Sequence, residues 1–172
     1  MSDKIIVCKH KPQDITPLLV VPTKSSIPHF SQLLGFFLYY APNISSAHAK
    51  DFDGKALDEI YQDFIKNTTI GGRLKFLQKI QSNSYELMGL KENCFCMKCE
   101  RGLLKTYKNE KEVVCILRHI RNSLAHGYLY VKSKRMICFY DYEDKKPSAK
   151  IVMNIETLKQ LKTVIENKRN DT

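Results

Sequence analysis

Apolar positions recur every three to four residues through most of the chain after residue 28, and every second residue in one late segment. The run His29-Phe30-Ser31-Gln32-Leu33-Leu34-Gly35-Phe36-Phe37-Leu38 is apolar on most sides, which predicts a buried helix that Pro42 ends. Leu57, Ile60, Tyr61 and Phe64 stand at i, i+3, i+4 and i+7 and predict a second helix over 56–65. Leu74, Leu77, Ile80 and Leu87 place a third over 72–88, and a fourth is expected over 94–107. A fifth, over 110–125, carries the stripe Val113, Leu117, Ile120 and Leu124. Gly127 stands where a left-handed glycine would stop it. The period then changes to two, so 128–132, 135–142 and 149–153 predict three short strands. Asn154 caps a last amphipathic helix with Ile155, Leu158, Leu161 and Ile165 inward, and the tail 168–172 reads as disordered.

Ahead of these elements, β-like runs at 4–8 and 18–21 are punctuated by prolines at 12, 17, 22 and 28. Residues 1–27 therefore read as an extended arm or a small β-hairpin, and residues 28–172 as one domain. The expected fold is mainly α, a helical bundle with a small antiparallel β-sheet inserted at about 128–153, before the C-terminal helix.

Composition narrows the classes. A chain of 172 residues, 43% hydrophobic, can bury one real core. It has no run of 18 apolar residues and no long apolar leader after Met1-Ser2-Asp3-Lys4, so a membrane span and a signal peptide are not expected. A cytosolic location follows, with the six cysteines reduced rather than paired. The net charge of +10 is uneven: residues 101–172 hold sixteen Lys/Arg against eight Asp/Glu. A basic field there favours a polyanionic partner, whereas the plainer reading is a lysine-rich surface that keeps the chain soluble.

The same segment holds Arg121-Asn122-Ser123-Leu124-Ala125-His126-Gly127-Tyr128 at the end of the fifth helix. Arginine offers a permanent charge and a planar donor fork for phosphate oxygens. Histidine is the side chain that titrates nearest neutrality. Together they can bind a phosphate and move a proton with no metal, which is enough for RNA cleavage through the 2′-hydroxyl. Six arginines and five histidines make such a spacing easy to meet by accident, so context must carry it. Five residues of ideal helix separate two side chains by about 7.5 Å of rise and about 140°. Arg121 and His126 then do not share a face, while Asn122 and His126 do. A two-fold arrangement of helix ends would gather two arginines and two histidines around one phosphate.

Arg121-Asn122 followed by His126 resembles the R-x4–6-H signature of HEPN-domain ribonucleases, and Tyr128 extends it to the R-x4-H-x-Y form of HEPN toxins. The order helix, RN-x3-HG, strands, helix also resembles a stand-alone branch of HEPN nucleases. The resemblance implies an HEPN-like bundle, a homodimer with a composite site, and RNA as substrate, with no metal or other cofactor. It makes Arg121 and His126 catalytic, Asn122 the polar residue that orients the imidazole, and Tyr128 a regulatory position. It also implies a toxin or phage-defence role with an antitoxin or immunity protein as partner. The other reading is a non-catalytic HEPN module that binds RNA or a nucleotide, or scaffolds a partner protein.

Six further residues are open to more than one reading. Arg118, three residues before Arg121, either thickens the phosphate site or belongs to an exposed basic face. His119 rotates away from Arg121, toward a surface or packing role. Tyr128 is either regulatory or a strand aromatic packed on the bundle. Cys94, Cys96 and Cys99 have zinc-ligand spacing but lack a local fourth ligand, so buried free thiols are the alternative. His10, His29 and His48 have no recognisable partners.

Overall fold

The computed structural model describes residues 13–14, 29–40, 51–81, 84, 94–95, 99–132 and 135–171. Four helices form where the apolar spacing places them. Helix α1 (Phe30–Gly35) runs into a π-helical turn (Phe36–Tyr40), and together they bury Phe30, Leu33 and Phe37. Helix α2 (Gly54–Lys66) starts at Asp53, whose carboxylate accepts from the Ala56 N–H at 2.7 Å, and buries Ile60 and Phe64. Helix α3 (Glu112–Ala125) buries Val113, Cys115, Ile116, Leu117 and Ile120, a face wider than the single stripe read from spacing. Helix α4 (Ile155–Asn170) starts at Asn154, which accepts from the Glu156 N–H at 3.0 Å. It reaches Asn170, inside the tail expected to be disordered. Among the described residues no helix is long and apolar enough to cross a membrane.

The sheet corrects the expected fold. Strands β2 (Leu74–Leu77), β4 (Arg101–Lys105), β5 (Leu129–Lys132), β6 (Met136–Glu143) and β7 (Lys146–Asn154) form one five-stranded sheet in the order β2-β4-β7-β6-β5. It is mixed: β2 pairs parallel with β4, and the other pairings are antiparallel. Two further short strands, β1 (Gln13–Asp14) and β3 (Cys94–Phe95), pair antiparallel. The chain is thus not a mainly α bundle with a small insert. Two of the five strands precede α3, at positions where helices were expected over 72–88 and 94–107.

The reason lies in burial. Arg101, Gly102, Leu103 and Leu104 are all buried because β4 is covered on both faces. Leu104 joins the helix-side core, and Leu103 joins a second cluster with Cys138, Tyr140 and Val152. A strand buried on both sides loses the alternation that would reveal it. The rest of the expected arm at 1–27 lies outside the described residues.

The helices α1 to α4 pack on one face of the sheet, against Leu104, Ile137, Phe139, Ile151 and Met153. Glu100, buried just before β4, locks that layer to the sheet. Its carboxylate accepts from the Asn154 N–H at 2.6 Å, the Thr157 hydroxyl at 2.5 Å and the Thr69 hydroxyl. The start of α4 and the loop after α2 are thereby held by one side chain.

Candidate functional site at the end of α3

Helix α3 ends by hydrogen bonding. The Tyr128 N–H donates to the Ser123 carbonyl at 2.8 Å and the Gly127 N–H to the Leu124 carbonyl at 3.2 Å. Both bonds require Gly127 at its observed φ of 71°, the left-handed C-terminal turn that glycine adopts without penalty. His126 is the last residue before this turn, at φ −97° and ψ 0°, and its N–H donates to the Asn122 carbonyl at 3.0 Å. Gly127→Ala should therefore lose about 1–2 kcal/mol, the usual penalty of a Cβ in left-handed backbone. A urea melt measures it directly.

Four cationic or potentially cationic side chains project from the second half of α3, and the fold divides them into two kinds. Arg118 is engaged. Its Nε donates to Glu110 Oε1 at 2.7 Å, while Nη2 donates to Glu110 Oε2 at 2.9 Å and to the Lys105 carbonyl at 2.8 Å. The guanidinium also stacks on Tyr107, 4.4 Å from the ring centroid. Its Nε and Nη2 thus join the start of α3 to the end of β4 and are committed to structural partners.

His119 is engaged more tightly still. The ring is fully buried, with Nδ1 2.7 Å from Asp141 Oδ2 and Nε2 2.7 Å from the Lys105 carbonyl oxygen. Both neighbours offer acceptor oxygens, so the ring is held between two hydrogen-bond partners. Burial by itself would raise the Asp141 carboxyl. The hydrogen bond and charge of His119, with further bonds from Asn122 and the Tyr142 N–H, hold it below the ordinary range instead. The Glu110 carboxyl, which burial alone would also raise, is held low by Arg118 and the Tyr107 N–H.

Both carboxyls bind protons less readily when folded than when unfolded. Their contribution to stability is complete above the unfolded carboxylate values, about 3.9 for Asp and 4.3 for Glu. It is lost as pH falls through the depressed folded values. Urea stability should accordingly hold between pH 7 and about pH 5 and fall below about pH 4. A stability that stayed flat down to pH 3 would contradict these two pairings.

Arg121 and His126 are of the other kind. Both side chains are exposed, and among the described residues neither has a carboxylate partner. By contrast, among the described residues of the same segment Lys105, Lys111, Arg118, Lys159, Lys162 and Lys168 stand in ion pairs with carboxylates. Arg121 Nη1 lies 3.5 Å from Asn122 Oδ1. The His126 ring lies 6.3 Å from Tyr128, which packs edge-on against Tyr142 at 5.1 Å. No hydrogen bond joins Arg121 to His126 among the described residues, as the helical rotation between them anticipates.

The Asn122 side chain does not reach the imidazole. It turns to the sheet, where Nδ2 donates to Asp141 Oδ2 at 3.2 Å. The expected i, i+4 partnership with His126 exists only in the backbone. Asp141 is the residue that sequence reasoning missed. The one available signal was an acid inside the apolar strand Met136-Ile137-Cys138-Phe139-Tyr140, since an acid buried there must find partners. Tyr128 packs against the cluster of Leu103, Cys138, Tyr140 and Val152, in the way a strand aromatic does.

The cysteines divide as well. Cys115 and Cys138 are buried, and burial pushes each thiol up to about 12. They are inert as thiolates. Cys99 is half-buried, Cys94 lies on β3, and Cys96 falls outside the described residues. Among the described residues no group of three potential metal ligands comes together.

A family model described as HEPN pEK499 p136 matches residues 15–169. No curated protein and no solved structure matches the chain. The matched span covers nearly the whole sequence and contains both the helix end and the sheet that backs it. The chain belongs to the HEPN family.

Proposed function

We propose that the protein is a metal-independent endoribonuclease whose site is completed across a homodimer by Arg121 and His126. One observation carries the reading. Of the four cationic candidates on the second half of α3, the fold ties down Arg118 and His119 and leaves Arg121 and His126 open to solvent. An arginine and a histidine kept free of carboxylates at one helix end suit a phosphodiester. Because the two side chains diverge within one chain, a second copy would bring its own pair to the same phosphate. Single-stranded or looped RNA fits best, since its 2′-hydroxyl can reach in-line geometry.

The chemistry is a transesterification. His126 of one copy takes the proton of the 2′-hydroxyl, whose oxygen attacks phosphorus. Arg121 stabilises the charge that accumulates on the non-bridging oxygens. The bond from phosphorus to the 5′-oxygen breaks, and an imidazolium, from either copy, returns a proton to that oxygen. The products are a 2′,3′-cyclic phosphate and a 5′-hydroxyl. Membership of the HEPN family supports an RNA-directed role, and a cytoplasmic toxin or phage-defence effector with an antitoxin partner is the biological setting we infer.

The groups at the helix end are a guanidinium, an imidazole and a carboxamide, a poor donor set for hard cations that seek several oxygens. Cleavage should survive EDTA and leave cyclic-phosphate and 5′-hydroxyl ends, read by end-labelling. Strict magnesium dependence or 5′-phosphate ends would overturn the mechanism. RNA binding with no cleavage by a protein freed of contaminating nuclease would favour the non-catalytic HEPN module.

A further inference from the structure

The sheet contributes a group to the helix end that the Arg–His motif does not contain. Asp141 sits near the end of β6, beside the register shift between Asp141 and Tyr142, and its side chain is 4% exposed. Its two oxygens accept three hydrogen bonds: Oδ2 from His119 Nδ1 at 2.7 Å and from Asn122 Nδ2 at 3.2 Å, and Oδ1 from the Tyr142 N–H at 2.9 Å. A carboxylate only accepts, so it fixes which end of the Asn122 carboxamide turns inward. The NH2 group faces Asp141, and the carbonyl oxygen faces outward toward Arg121, 3.5 Å from Nη1. That distance is at the outer edge of a hydrogen bond. It can orient a guanidinium and still release it to a phosphate.

We propose that Asp141 is a positioning residue for the site: through Asn122 it holds an acceptor oxygen against Arg121 and so sets the guanidinium for the scissile phosphate. His119, anchored to the Lys105 carbonyl, meets the same carboxylate from the other side, while the Tyr142 N–H holds Asp141 without it. The chain of contacts runs from the end of β4, through α3 and β6, back to the exposed end of α3. Its effect on rate rests on the ribonuclease reading. Its geometric part does not.

Two variants that both break the His119–Asp141 bond separate positioning from packing. His119→Gln keeps the Asp141 carboxylate against Asn122. The double variant His119→Leu with Asp141→Leu replaces the buried pair by apolar groups and removes the acceptor for Asn122. It is chosen because Asp141→Leu alone leaves the buried imidazole without its partner and risks unfolding.

The measurements are kcat and RNA affinity at a temperature where each variant is folded, together with the Asn122 side-chain amide resonances of 15N-labelled protein. The double variant should lose about tenfold or more in kcat, as displaced catalytic geometry does, with affinity within about threefold. Its Asn122 amide protons should move toward free-amide positions and exchange faster. His119→Gln should keep the Asn122 signals, and kcat within about threefold of wild type. Unchanged kcat in the double variant, or an equal loss in both variants, overturns the positioning role. Asn122 signals that ignore Asp141 overturn its geometry. If those signals respond as expected while the wild-type protein cuts no RNA, the ribonuclease reading fails and the hydrogen-bonded arrangement stands.

Discussion

On the proposed ribonuclease reading, His126→Ala should lower the cleavage rate by about 10²–10⁴, the usual contribution of a general acid–base. RNA affinity stays within a few-fold, because a neutral imidazole does little to hold a phosphate. Arg121→Ala costs about 10²–10³ in rate. It also weakens binding and flattens its salt dependence, since a permanent phosphate contact is gone. The two losses should be strongly non-additive, as expected of groups proposed to act on one transition state. Arg121→Lys restores binding better than rate, as an ammonium lacks the planar fork. Single-turnover kinetics beside filter binding over a salt series checks all four statements. Wild-type cleavage by His126→Ala is the outcome that removes the ribonuclease reading.

The largest stability effect is expected at His119. His119→Leu leaves the buried Asp141 carboxylate without its closest partner, and breaking a buried pair in this way costs about 3–5 kcal/mol. Replacing both partners by leucine removes the uncompensated charge, and stability should return to near wild type. Chemical denaturation of the single and double variants decides it. Two losses that simply add would mean that the pair is not coupled, contrary to the 2.7 Å contact between the two side chains.

Much of the helical layer is legible in the sequence. The spacing of Leu57, Ile60, Tyr61 and Phe64 places α2, and the stripe from Val113 to Leu124 followed by Gly127 places both the body and the end of α3. Helix starts are legible where a side chain caps them, as Asn154 does for α4. The hairpin strands β5, β6 and β7 are also found, but β7 begins at Lys146, earlier than its apolar residues suggest. Asp144 and Lys145 close that turn at φ 51° and 63°, a conformation aspartate favours but lysine does not signal.

What stayed hidden has a common physical cause: burial on both sides, or a partner distant in sequence. Strand β4 is enclosed by two apolar layers, so Arg101-Gly102-Leu103-Leu104 shows no alternation and passes for a helix segment. Its parallel partner β2, four residues long, is identified only by the pairing itself. The candidate site divides in the same way.

The local sequence alone determined that Arg121, Asn122 and His126 gather at a helix end, because helix periodicity and a left-handed glycine are short-range properties of the chain. Which of the cations on α3 are free was decided only by the tertiary structure. Glu110 takes Arg118 from eight residues away, and Asp141 takes His119 and Asn122 from about twenty residues away across the sheet. A hydrogen bond is set by distance and angle in space, so no spacing along the chain could assign those partners.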